Sequence, residues 1–342
     1  MAEPPPRKPR PARPAAATLL RAAGRTLAEF LPLAPAETEL LHATREGRQA
    51  QIADVCPTEE TDANRVHAGF VRFLALGGDA DAPVHEHGVQ LSGAWIAGSL
   101  DFVAARAVCP LELHKCRIAQ IDAIAARLAP LGVTFLRGGA FKPRSSPYNF
   151  QGHGDPALSW MRDAATKYGL RVVTEVLSEH DVTAVAELAD LIQIGSRNMQ
   201  NFALLKRVGH VGKPVLLKRA MSATIDEWLL AAEYLLHHGS SGVVLCERGI
   251  RGFDPSTRNL VDLTAVALLA NVHRLPVIVD PSHGTGRRDL ILPLARAALA
   301  AGAAGVMIET HDDPGRALSD GPQALRAEEL QYVLQKLQAV TR

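Results

Sequence analysis

Cysteine is scarce in this 342-residue chain: Cys56, Cys109, Cys116 and Cys246 are its four cysteines, and none stands in a CxxC pair. That usage argues against a disulfide framework and fits a reducing cytoplasm. Net charge is nearly absent as well, at +1. No global field therefore draws in nucleic acid or a membrane surface, and any anion site has to be a local cluster. No apolar run reaches the length needed to span a bilayer. The opening MAEPPPRKPRPARPAAA lacks the apolar core of a secretion signal and reads as a disordered Pro/Arg/Ala leader over residues 1–17. No glycine-rich dinucleotide loop follows any candidate strand, which weighs against a doubly wound open sheet.

What is present is ordinary globular composition, 47% hydrophobic and 21% charged, in a chain long enough to bury a sizeable core. Residues 18–105 form a region of changing character. TLLRAAGRTLAEFLPL, AETELLHATREGRQAQI and NRVHAGFVRFLALGG carry helical apolar spacing, so a mostly helical extension is expected. In VQLSGAWIAGSLDFVAARAVCPLELHKCRI the spacing changes to every two and roughly every five positions, the pattern of short β-arcs or solenoid coils. This stretch resembles the opening of pentapeptide-like repeat proteins, with too few coils to be stable alone.

Beyond residue 106 the rhythm becomes regular. VTFLR (133–137), RVVTEV (171–176), LIQIG (191–195), PVLLK (214–218), GVVLCE (242–247), PVIVD (276–280) and GVMIE (305–309) are near-continuous apolar, β-branched runs, as expected of strands buried on both faces. Helical segments such as DPALSWMRDAATKYG separate them. The expected fold is α/β, a (β/α)8 TIM barrel over 106–342 with a non-standard first strand, for which PLELHKC (110–116) is the candidate.

Each of the seven runs ends in, or is followed closely by, a charged side chain. Arg137, Glu175, Arg197, Lys218, Glu247 with Arg248, Asp280 with His283, and Glu309 with Asp320 succeed one another along the chain. In a barrel the carboxyl ends of the strands converge on the face that holds active sites. Arg137, Lys142, Arg144, Arg197, Lys218 and Arg248 would then form a cationic patch in an otherwise neutral protein, suited to phosphorylated, carboxylate-bearing substrates. His283, Glu309 and Asp320 are of the residue types that hold a divalent metal.

FLRGGAFKPRSSPYNFQGHG, LIQIGSRNMQNFALLK, KPVLLKRAMSATIDEW, LCERGIRGFDPSTRN, PVIVDPSHGTGRRDL and the MIE…ALSDG pair closely resemble the short bacterial type of 3-deoxy-7-phosphoheptulonate (DAHP) synthase, from about Ala119 to about Leu337. The resemblance implies a transferase that condenses phosphoenolpyruvate with erythrose 4-phosphate in the first step of the shikimate pathway. It implies a divalent metal (Mn, Fe, Co or Zn), a cytoplasmic location and a homo-oligomer. Arg137, Lys142, Arg197, Lys218 and Arg248 would bind phosphoenolpyruvate. Lys142, Pro143, Arg144 and Ser145 would border the erythrose 4-phosphate site. Lys218 and His283 would serve in proton transfer, and His283, Glu309 and Asp320 would be metal ligands. An octulosonate-type condensing enzyme, or an impaired homologue that only binds anions, is the alternative.

The family's Gly-Pro-Cys-Ser segment, whose cysteine is the fourth metal ligand, is missing. IAGSLDF (96–102) begins like it but carries Leu100 at the cysteine position. Cys116 is the better-placed substitute. Two readings stay open: PLELHKCRI is the first barrel strand and Cys116 a metal ligand, or it belongs to the preceding region and Cys116 is a small apolar residue.

Overall fold

The computed structural model describes residues 25–98, 100, 109–114, 116–143, 148, 151–317 and 319–338. The leader, Arg144 and Ser145 lie outside them.

The first unit begins with helix α1 (Pro35–Glu46), then β1 (Ala50–Gln51), β2 (Arg65–His67), α2 (Ala68–Ala75), β3 (Val89–Ser92), β4 (Trp95–Ala97), β5 (Leu111–His114) and β6 (Arg117–Ile118). Alternate strands join into two parallel three-stranded sheets, β1-β3-β5 and β2-β4-β6. The last pair in each sheet is 22 residues apart, Val89 with Leu111 and Ile96 with Ile118, whereas the first pairs, Ala50 with Leu91 and Arg65 with Trp95, are 41 and 30 residues apart. This is a short parallel solenoid, with Leu91, Ile96 and Leu113 buried inside. Its coils stack closely. Gly93 has φ +72°, and a Cβ there would stand 2.1 Å from the Ala53 carbonyl oxygen of the adjacent coil, so only glycine fits the corner.

Two expectations are corrected here. The extension is helical only in part: α1 and α2 form on the second and third of the expected segments, and the described part of the first forms no α-helix. Of 18–33, the described part holds one 3₁₀ turn, Leu27–Phe30. Leu31 is extended (ψ 144°), the conformation that a following proline imposes, so the helical spacing cannot propagate. And PLELHKC is not a barrel strand, because β5 pairs with β3 of the solenoid.

Helix α3 (Ala119–Leu128) leads into seven alternations: β7 (Phe135–Gly138), α4 (Asp155–Tyr168), β8 (Arg171–Glu175), α5 (Val182–Leu188), β9 (Leu191–Ile194), α6 (Phe202–Gly209), β10 (Val215–Lys218), α7 (Ile225–His237), β11 (Val243–Glu247), α8 (Leu263–Ala267), β12 (Val277–Val279), α9 (Pro281–Thr285), α10 (Ile291–Ala300), β13 (Gly305–Val306) and α11 (Ala327–Gln338). All seven strands expected from their apolar runs are present. They form one parallel sheet in chain order, β7 to β13. The sheet curls into a TIM-barrel-like half-barrel of seven strands among the described residues. Helix α3 packs on α4 and β4, and α4 packs on β5 and β6, so the solenoid docks against the start of the barrel. One continuous hydrophobic core runs from Leu40 and Phe70 through Ile96 and Leu113 to Leu136, Ile192 and Leu217. A solenoid of so few coils is thereby closed by a neighbour.

Candidate active site

Strand polarity places Arg137, Glu175, Lys218 and Glu247 at the same end of the sheet, and the loops beyond it add the rest. Arg137, Lys142, Pro143, Arg197, Lys218, Arg248, His283 and Asp320 line one pocket of about 100 Å³. Eight residues named from sequence thus meet there. Glu175, Gln193 and Arg258 line it as well, without a role assigned from sequence.

The cations are held by partners beneath the pocket. Lys218, 5% exposed, donates from Nζ to Asp280 Oδ2 at 2.6 Å and lies 3.7 Å from Met307 Sδ. Burial alone would raise the Asp280 carboxyl, but His283 and Lys218 outweigh it and hold the group well below the usual carboxylate range. Asp280 also accepts the His283 backbone N–H at 2.9 Å, as the cap of α9, and its Oδ2 sits 2.9 Å from His283 Nδ1. The Asp-Pro-Ser-His run therefore fixes the imidazole by its own first carboxylate.

Arg137 donates from Nε to Gln193 Oε1 at 3.2 Å and stands 3.8 Å from Glu175 and 3.7 Å from Glu309. Burial works against its charge, but these carboxylates more than restore it. Gln193 donates in turn to Glu175 at 3.0 Å. Gly195 makes room for this chain of contacts, since a Cβ there would come within 1.9 Å of Glu175 Oε1. Lys142 reaches Ser319 Oγ at 3.2 Å, and Arg258 comes within 3.6 Å of Asp320. Burial lowers the pKa of Arg248.

Arg219, next to Lys218, points the other way. It donates to Glu247 at 3.1 Å and to Asp262 at 2.9 Å, joining β10, β11 and α8 behind the pocket. Burial raises the Glu247 carboxyl, opposed by the Gly249 N–H and by Arg219.

The expected metal ligands do not gather. His283 Nε2 lies 3.6 Å from Glu309 Oε2. Asp320 Oδ1 instead accepts from Gln323 at 3.3 Å and faces Arg258. Cys116 sits in the solenoid corner between β5 and β6, 1% exposed, and its thiol donates to the carbonyls of Leu91 and His114 at 3.4 and 3.3 Å. Burial pushes that thiol up to about 12. Among the described residues no three His, Cys, Asp or Glu side chains are grouped to hold a metal ion. The donor set as arranged does not fit a divalent centre.

Comparison with known proteins accords with this geometry. The model of the DAHP synthetase I family matches residues 110–342. A phospho-2-dehydro-3-deoxyheptonate aldolase of Thermotoga maritima is 54% identical over 210 residues, covering 61% of this chain and 62% of that one. The chain thus spans less than two thirds of that relative's length. A 2-dehydro-3-deoxyphosphooctonate aldolase of Acidithiobacillus ferrooxidans is 31% identical over 253 residues, 68% of this chain and 88% of that one. The crystal structure of the Thermotoga maritima DAHP synthase superposes with a TM-score of 0.61 at 51% identity, covering 64% of each chain.

Proposed function

Because this chain belongs to the DAHP synthetase I family, we propose that it condenses phosphoenolpyruvate with erythrose 4-phosphate, releasing phosphate and forming the seven-carbon sugar acid that opens the shikimate pathway. The observation that carries the reading is the convergence of Arg137, Lys142, Arg197, Lys218 and Arg248 on one pocket at the carboxyl ends of the strands. Mutually repelling cations in a nearly neutral protein need anionic ligands, and phosphoenolpyruvate supplies a phosphate and a carboxylate.

In this reading C3 of phosphoenolpyruvate attacks the aldehyde carbon, a carbon–carbon bond forms, water adds at C2 and phosphate leaves. The arginines and lysines hold both anions in near-attack geometry. Lys142 and Pro143, with Arg144 and Ser145 beyond them, border the aldose phosphate. Lys218, whose charge Asp280 balances at 2.6 Å, or His283 gives a proton to the nascent alkoxide. Enzymes of this family are generally metal-dependent. A bound metal would polarise the aldehyde oxygen, but the donors as arranged support no step through it. The substrates are small anions. No helix among the described residues is long and apolar enough to cross a membrane. Four free thiols suit the cytoplasm, and a homo-oligomer is carried over from the resemblance.

The test is loss of phosphoenolpyruvate absorbance with erythrose 4-phosphate, with arabinose 5-phosphate, and with neither, after chelation and with added manganese. Consumption with the four-carbon sugar alone supports the reading. Preference for arabinose 5-phosphate moves it to the octulosonate type, which the relative from Acidithiobacillus ferrooxidans represents. Phosphoenolpyruvate binding without turnover would mark an impaired homologue, a second reading favoured by the position of Cys116 in the solenoid.

A further inference from the structure

The two ends of the barrel sheet, β7 and β13, face each other across a cavity of about 310 Å³ where a first barrel strand would lie. Leu136 comes from one edge and Val306 and Ile308 from the other, with Trp160 and Met161 of α4 and Leu334 of α11 around them. Among the described residues neither strand has a partner on this side. The volume falls in the range of small-molecule pockets, and an apolar hollow of this kind takes apolar guests more readily than water.

The polar end decides what kind of guest fits. Arg137 and Glu309 meet there 3.7 Å apart, beyond hydrogen-bond length. A carboxylate ligand would be drawn by Arg137 but repelled by Glu309, and an ammonium the reverse, so neither charge gains on balance. A neutral hydroxyl can accept from the guanidinium and donate to the carboxylate at once. We infer that the gap between β7 and β13 is a binding site for a neutral, largely apolar small molecule carrying one hydroxyl, of the phenol type. The site is separate from the anion pocket and shares only Arg137 with it. A guest there draws on a side chain that the anion pocket also uses, which couples the two sites.

The inference does not depend on catalysis, so its test reads binding. The full chain, its anion pocket saturated with phosphoenolpyruvate so that benzoate is kept out of it, is titrated calorimetrically with phenol, benzoate and benzylamine, which are similar in size and differ in charge. Phenol is expected to bind at least about tenfold more tightly than either ion, with a negative heat-capacity change. Leu334→Trp, which fills the cavity from α11, should weaken phenol by about tenfold or more and leave phosphoenolpyruvate binding unchanged. Methyl-labelled methionine spectra of the unmutated chain locate the guest. Met161 and Met307 line the cavity, Met221 lines the anion pocket and Met199 lines neither. Phenol should move the first two signals only. Phenol no tighter than benzoate, phenol affinity unchanged in Leu334→Trp, or shifts at Met221 or Met199 in place of Met161 and Met307 would each overturn it.

Discussion

The solenoid and the half-barrel are both built from parallel strands, yet they treat charge in opposite ways. In the first unit the buried polar side chains among the described residues are Glu37, Thr44 and Ser92, and Glu37 accepts the N–H groups of Ala34 and His67 at 3.0 and 2.9 Å and lies 2.8 Å from the His67 imidazole. In the second, Lys218, Arg219, Glu247, Arg248 and Asp280 are all under a tenth exposed. Removing a charge from water costs several kcal/mol unless a partner replaces the lost hydration. Only a fold that gathers strand ends supplies so many partners in one place. The contrast separates a region with a single buried charge, held in place locally, from one whose buried charges are gathered at a pocket.

The sharpest way to break that contrast is Lys218→Met. It removes a pocket cation and leaves Asp280 buried with His283 alone. Phosphoenolpyruvate turnover should fall by about a thousandfold, as expected when a group acting on the reacting atoms is lost. Stability should drop by about 3 kcal/mol, because one member of a buried pair is stranded. Urea midpoints together with kcat check both. A variant that loses activity with no loss of stability would show that Lys218 and Asp280 are not a structural pair.

Next in size is Ile96→Ala, in the solenoid strand β4 and fully buried. A cost of about 2–4 kcal/mol is expected from the lost packing. Since the core is continuous from Ile96 to Leu136, calorimetry should show one transition shifted as a whole. Two transitions, with the upper one unmoved, would make the units independent.

How much of this was legible depends on which physical signal each part leaves in the chain. The barrel strands announce themselves because burial on both faces demands unbroken β-branched runs such as VVLCE and VIV. The pocket was legible because Arg137, Lys218 and His283 each follow such a run. Arg219 was not, since adjacent Lys218 and Arg219 look alike in sequence while strand alternation sends them to opposite sides. Asp320 belongs to the pocket, but its left-handed backbone (φ 59°) and its tie to Gln323 depend on a turn that charge spacing does not reveal. The solenoid leaves no fixed repeat, since its paired strands are 41, 30 and 22 residues apart, and the strands are only two to four residues long. PLELHKC therefore read equally well as a barrel strand, until pairing with Val89–Ser92 decided it.

Cys116 sharpens the contrast at smaller cost. Cys116→Ala should leave manganese affinity unchanged, as measured by titration, if the thiol serves the solenoid alone. Its pH dependence differs from that of an exposed thiol. The ordinary value is 9.0, and burial pushes both Cys116 and Cys246 up to about 12. The unfolded chain ionises first, so the stabilising effect of each buried neutral thiol is whole below pH 9 and is lost as pH rises from there toward 12. By pH 10 each thiol should have cost about 1 kcal/mol. The fall in unfolding free energy between pH 8 and pH 10, read from urea curves, should be smaller by about that amount in Cys116→Ala than in the unmutated chain.

The smallest effect expected lies on the barrel's outer ring. Thr224 caps α7 reciprocally: its Oγ1 accepts the Glu227 N–H at 3.2 Å, and Glu227 Oε2 accepts the Thr224 N–H at 2.8 Å. The cap is exposed, unlike that of α1, where Glu37 is buried and serves His67 as well. The Thr224 hydroxyl also donates to Glu227 Oε2 at 3.1 Å, so Thr224→Ala removes two of three bonds and should cost about 1 kcal/mol. Met221, only three residues earlier, lines the anion pocket. If the pocket is set by the strands that carry its cations, phosphoenolpyruvate affinity in this variant should equal that of the unmutated chain, as read by calorimetry. Weaker binding would mean that the cap also positions the loop after β10, and that the outer ring shares in building the site.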